Sequence, residues 1–174
     1  MKRSALLIMW GCLSFMYLGS QEVVRLGPEP GRIYRITVPG TEHWTDTGFD
    51  IRAGQEISFE AGGAISLQRG NPVAFPCGPE GLDLKTIQQP IRGENIGALI
   101  GRIILLISVD VDEETGEETR NEIIKEFFIG KQKRVMMPVD GSLFLGVNEL
   151  VVEDNFGEFK VEMECHDDDF LQPY

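Results

Sequence analysis

Apolar and polar positions alternate along much of this chain with a period of two. In "GEFKVEME", Phe159, Val161 and Met163 fall on one face and Lys160, Glu162 and Glu164 on the other, the pattern of a half-buried strand. Ile33–Val38 alternates in the same way. "FDIRAGQEISFEAGGAISLQ" predicts two short strands around the turn Ala53-Gly54-Gln55, with Ile57 and Phe59 sharing a face. "GRIILLIS", "IIKEFFIG" and "SLFLGVN" are rich in β-branched and aromatic residues, as strand cores are. No window carries a long helical period with caps. Many short strands separated by Gly and Pro turns predict an all-β fold, an antiparallel sandwich or barrel.

Three stretches break the alternation. "NPVAFPCGPEGLDLKTIQQPIRGEN" is a long Pro- and Gly-rich connection, and connections of this length are commonly functional or mobile. "DVDEETGEETRNE" sets Asp110, Asp112 and Glu114 at alternate positions, as a calcium loop does, but Thr115 stands where that loop needs glycine and Asn121 where it needs its last acid. A charged hairpin tip around Thr115-Gly116, joining two apolar strands, fits better. The start, "MKRSALLIMWGCLSFMYLGSQE", places two basic residues before an apolar run and a polar break, the plan of a secretory signal. The run of about 15 residues falls short of the roughly 20 that span a bilayer.

The expected organisation is a signal peptide over 1–20, a linker over 21–31, a β-sandwich domain over 32–165 and an acidic tail over 166–174. Export to the periplasm, the cell surface or the medium follows from the first of these. Past the signal only Cys77 and Cys165 remain; an exported chain could join them, and their spacing leaves the pairing open. The net charge of −12 repels phosphate backbones, which argues against nucleic acid as a partner.

Catalytic constellations are missing from the sequence. The two histidines, His43 and His166, have no metal-ligand spacing, and neither a nucleophile elbow nor a phosphate loop occurs. No enzymatic activity is expected. Trp44 is assigned to the core, and Gly97 and Gly101 to places where strands approach closely.

One loop gathers oxygen. In "GVNELVVEDNFGEFKVEM", Asn148, Glu149, Asp154 and Asn155 lie between two predicted strands. Calcium takes six to eight oxygen ligands from carboxylates, amides, carbonyls and water. Asn, Asp and Gly are also ordinary turn residues, so residue types alone leave a solvated turn and a cation cage as the two readings.

"HWTDTGFDIRAGQEISFEAGG", "GALIGRI", "FFIG", "DGSLFLGVNE" and "DNFGEF", in this order and spacing, resemble the PA-IL-like lectins, a family of calcium-dependent, galactose-binding bacterial lectins. The resemblance runs from about Ile33 to Met163. It implies a small β-sandwich of jelly-roll, galactose-binding-domain-like form in which one Ca2+ bridges protein and sugar. The implied metal ligands are the side chains of Glu149, Asp154 and Asn155, the carbonyl of Leu67, and a loop carbonyl at Val151 or Val152. Asn155 is also implied as a sugar contact. Gln88 and Gln89 fall in the interval that holds the family's polar sugar contacts, and Phe156 and Phe75 are candidates to stack on a sugar ring. The family's oligomers imply a homo-oligomer. Three departures stand out: Glu149 replaces an aspartate, the loop is about two residues shorter, and the interval "LDLKTIQQPIRGENI" has no histidine. The expected function is carbohydrate binding, galactose-like or another glycan, through calcium. The alternative is a calcium-stabilised adhesion or protein–protein module without sugar binding.

Overall fold

The structure, a computed structural model, describes residues 25–68, 76–87 and 89–166. The expected signal, Phe75, Gln88 and the tail beyond His166 lie outside these residues. Among the described residues there are nine strands and no helix: β1 (Ile33–Pro39), β2 (Trp44–Ile51), β3 (Glu56–Ser66), β4 (Pro76–Cys77), β5 (Leu99–Val111), β6 (Glu118–Phe128), β7 (Gln132–Met136), β8 (Gly141–Val147) and β9 (Phe156–Cys165). They form two antiparallel sheets. One runs β1-β9-β3-β4, with β7 on the same edge of β3 as β4; the other runs β2-β8-β5-β6. The all-β sandwich expected from the alternation is the fold.

The sheets meet through the residues that the alternation places inward. Ile57, Phe59, Phe159, Val161 and Met163 come from the first sheet and Leu99, Ile103, Leu143, Leu145 and Val147 from the second, all buried in one cluster. Each strand supplies every second residue, so each removes a full apolar row from water at roughly 25 cal/mol per Å² buried. Gly54 turns the chain between β2 and β3 with φ 84°, as the turn at Ala53–Gln55 predicts. The acidic run closes the β5–β6 hairpin: the Gly116 N–H donates to the Asp112 carbonyl, and Asp112 Oδ1 accepts from the N–H groups of Glu114 and Thr115. Those two backbone donors hold the Asp112 carboxyl below its usual range.

Trp44 is not in the core. It pairs with Gly146 on the outward face of the second sheet, where the Arg102 guanidinium lies 3.9 Å above its ring. The physical reason is register: Gly146 leaves the space that the indole covers, and Arg102 is held there by Glu126, whose Oε1 accepts from Nε at 3.0 Å. The glycines behave as read. A Cβ on Gly101 would meet the Phe127 ring, and one on Gly97 would meet Cys77 and Leu67.

Cys77 and Cys165 do not bridge to one another. Both pair with β3, Cys165 opposite Ile57 and Cys77 opposite Ile65. Eight residues of strand separate those positions by roughly 26 Å, far outside the ~7 Å Cα separation that a disulfide tolerates. The described part of the expected linker is tied down rather than loose. Arg25 Nη1 donates to Asp46 Oδ1 at 2.9 Å, Leu26 forms a bridge with Phe49, and the Gly31 N–H donates to the Cys165 carbonyl.

β3 and β9 approach closely at Gly63, where φ is 91° and a Cβ would lie 2.5 Å from the Glu158 carbonyl oxygen. Gly63→Ala is expected to lower stability by about 1–3 kcal/mol, the usual cost of a side chain forced into such backbone; the midpoint of urea unfolding measures it.

Candidate functional site: the Asn148–Asn155 loop

The loop between β8 and β9 is built on two buried amides with opposite tasks. Asn148 is fully buried. Its Nδ2 donates to the carbonyls of Ile91 (3.1 Å) and Asn95 (3.0 Å), and its Oδ1 accepts from the Ile91 N–H (2.8 Å). Its backbone N–H donates to the Ala98 carbonyl, and its carbonyl accepts from the Gly97 N–H. Every polar group of Asn148 is thereby spent on the long connection before β5, and none points to a ligand. Gln89 is alike. It is 3% exposed, its Oε1 accepts from the Thr86 N–H and hydroxyl, and its Nε2 donates to the carbonyls of Ile91 and Glu94. The polar contact expected of Gln89 is thus directed inward, where it folds its own loop.

Asn155 differs. Its Nδ2 donates to Glu149 Oε2 at 2.8 Å and to the Gly40 carbonyl at 3.0 Å, while its Oδ1 is buried without a hydrogen-bond partner. A buried acceptor left unmet costs about 1–3 kcal/mol, so an orphaned oxygen in an otherwise satisfied loop has to be accounted for. Val152, 1% exposed, plugs the loop to the domain, and its carbonyl accepts from the Asn155 N–H.

Glu149 is half-buried beside this amide. Burial is the first cause that raises its carboxyl above the usual 4.5; the Asn155 hydrogen bond pulls it down, and Asp154 nearby pushes it up. Among the described residues no basic side chain forms an ion pair with Glu149 or Asp154. Cys77 is also close. Its thiol is pushed up to about 11, by burial first and then by the Glu149 charge, so it stays protonated at neutral pH.

Strand register brings the remaining predicted residues to the same end of the sandwich. Ser66 pairs with Phe156, so Leu67, the next residue, leaves β3 where the loop enters β9. Phe156 is exposed there, and so is Val151. Glu149, Asp154 and Asn155 are thus assembled as side chains, with Leu67 at the adjoining strand end. Gly40 was not legible as a contributor. Its carbonyl reaches Asn155 only because the β1–β2 turn is tied to β9 by the Gly40 N–H donating to the Gly157 carbonyl.

The donor set suits a hard cation. Among the described residues no group of three or more His, Cys, Asp or Glu side chains could hold a metal, so an ion here would rest on amide and backbone oxygens beside the carboxylates. Such all-oxygen sets are what calcium takes.

Two variants separate scaffold from site. Asn148→Ala leaves the Ile91 N–H unmet and takes one of several donors from the Ile91 and Asn95 carbonyls, and is expected to cost about 1–3 kcal/mol by urea unfolding. Glu149→Gln acts through charge. Its raised folded-state pKa means that the carboxyl's stabilising contribution is fully present below 4.5 and is lost as pH rises through the raised value. In calcium-free buffer Glu149→Gln is therefore expected to be more stable than wild type at neutral pH, and the two are expected to converge below 4.5.

No protein-family profile and no curated protein matches the chain. Among solved structures it is similar to one described as "EclA N-terminal domain; PllA-like lectin", with a TM-score of 0.52 and 21% identity over 76% of this chain and 96% of that one. The two chains share a β-sandwich fold.

Proposed function

We propose that the protein is an exported lectin-like protein that binds carbohydrate hydroxyls through a calcium ion held by the Glu149–Asn155 loop. The observation that carries this reading is the orphaned Oδ1 of Asn155 beside a half-buried carboxyl. A half-turn of that amide would exchange Oδ1 with Nδ2, setting it against Glu149 Oε2 and the Gly40 carbonyl. Three oxygens facing one another repel unless a cation lies among them, so the amide nitrogen is the group expected inward without calcium and the oxygen with it. Glu149, Asp154 and Asn155, with carbonyls of Leu67, Val151 and Gly40, are the residues that would hold the ion. Bound there, calcium would supply positive charge and open coordination positions to a vicinal diol.

The chain's own part is preorganisation. Asn148 and Gln89 fix the connection that backs the loop, and Val152 anchors its middle, so little ordering is left to oppose a ligand. The protonated Cys77 thiol offers no soft ligand in competition. Phe156 stands exposed where an apolar sugar face could rest on it. Glu149 in place of aspartate, and the lack of a histidine in the preceding interval, favour a glycan other than one read as galactose is. The fold similarity supports binding rather than catalysis. The N-terminal basic and apolar segment supports export.

Calorimetric titration of calcium into metal-stripped protein is expected to show saturable one-site binding, lost in the Glu149→Ala/Asp154→Ala variant. Saturating calcium at a hundred times Kd would add about 2.7 kcal/mol to stability, visible as a higher Tm. Affinity is expected to weaken as pH falls through the raised pKa of Glu149, because the proton competes with the ion. Sugars with vicinal hydroxyls are expected to bind in calcium and not in chelator. A calcium-dependent Tm without sugar binding would replace this reading with a calcium-clipped adhesion module, and absence of calcium binding would overturn both.

A further inference from the structure

The β5–β6 hairpin extends past the sheet that carries it. β8 pairs with β5 only as far as Ile104, whereas β6 follows β5 to Val111. From Leu105 to the tip the hairpin is a two-stranded ribbon, and such ribbons are marginal in water unless a further strand or layer supports them. β6 is the last strand of its sheet, and among the described residues nothing pairs with its outer edge. Every residue from Glu118 to Lys125 is exposed. The outward face of the ribbon carries Leu106, Val109, Val111 and Ile124, each between 41 and 57% exposed. The hairpin contains no proline to blunt the edge.

We infer that β6 is a homodimer interface: two copies pair their β6 strands antiparallel about a twofold axis at Asn121, joining their four-stranded sheets into one. The charges select the partner and the register. Directly opposed residues must share a face of the sheet, so the axis passes through a residue and not between two. With the axis at Asn121, Arg120 faces Glu122 of the second copy, and Glu117 faces Lys125, each pair occurring twice. An axis at Arg120 opposes Arg120 to itself and Glu118 to Glu122. An axis at Glu122 opposes Glu122 to itself and Glu118 to Glu126. An axis at Ile123 has a single complementary pair, Arg120 with Glu126, and Glu126 is already engaged by Arg102. An axis at Thr119 has one complementary pair, Glu118 with Arg120, and engages only the first residues of β6. Like charges directly opposed are destabilising and opposite ones stabilising, so the axis at Asn121 is the register with two complementary pairs. The pairing satisfies the edge N–H and carbonyl groups, gives the ribbon its missing neighbours and sets the two apolar rows side by side in a closed, isologous contact. It does not depend on calcium or sugar.

Sedimentation velocity over a wide concentration range tests this on the purified protein. The wild type is expected to dimerise reversibly. Arg120→Glu is expected to weaken dimerisation by at least about tenfold, because four favourable charge contacts are reduced to two and two repulsions are added. The exchange Arg120→Glu/Glu122→Arg is expected to restore it. Both positions are exposed and outside the core, and an unchanged Tm confirms folding of each variant. Asn121→Cys is expected to form an interchain disulfide on mild oxidation, since a residue opposite itself has its Cα atoms about 4.5–5.5 Å apart. A wild type that stays monomeric throughout, or dimers indifferent to Arg120→Glu, would overturn the interface. Failure of both the charge exchange and the Asn121→Cys crosslink would overturn the register.

Discussion

The pairing of β3 with β9 is the constraint on which the rest of this molecule depends. Ten residue pairs run from Ile57 opposite Cys165 to Ser66 opposite Phe156, and because side chains alternate, a slip of one residue would turn Ile57, Phe59, Phe159 and Met163 out to solvent. The register therefore sets the core, and by its last pair it also sets the site. Ser66 opposite Phe156 puts the exit of β3 beside the loop that precedes β9. The same strand keeps Cys77 and Cys165 at opposite ends, so stability rests on packing and hydrogen bonds rather than on a bridge between these two thiols.

At the loop, polar burial is used in two ways. Asn148 and Gln89 are buried with their amides satisfied, which makes the long Pro- and Gly-rich connection an ordered backing. Asn155 is buried with its oxygen unmet, next to a carboxyl that burial and Asp154 both drive toward protonation. Satisfied amides rigidify; an unsatisfied one holds free energy that a ligand of the right chemistry can release. The contrast lies between residues of the same type seven positions apart.

The outward face of the second sheet follows a different rule. Near its centre it is closed by stacking, Arg102 on Trp44 with Glu126 accepting from the guanidinium. Toward the hairpin tip no such cover exists among the described residues, and charge of mixed sign stands along the free edge. Carbohydrate affinity at a single shallow site is weak, and two sites in one symmetric assembly would bind a multivalent surface more tightly than either alone. A dimer built at the sheet edge and a sugar site built at the β8–β9 loop would then serve one function without sharing a residue.

Much of the fold was legible in the chain. Alternation named β1, β3 and β9 and the faces of Ile57, Phe59, Phe159, Val161 and Met163, because a period of two is a local property of each strand. The turn at Ala53–Gln55 and the acidic hairpin tip were readable from Gly and Asp for the same reason. The loop Glu149–Asn155 was visible as a cluster of oxygens. Contacts between segments distant in sequence were not visible: Asn155 to the Gly40 carbonyl, Asn148 to Ile91, Arg102 on Trp44. Trp44 shows why. Its composition says core, yet the strand it opens is registered so that it faces outward across Gly146. Sequence by itself determined most of the strands and the inward faces of β3 and β9, though not β4, β7 or the outward face of Trp44, since those it did determine follow from local pattern and the hydrophobic effect. Only the tertiary structure decided which buried amide is scaffold and which is left with an unmet oxygen, because hydrogen-bond satisfaction is settled between segments far apart in the chain.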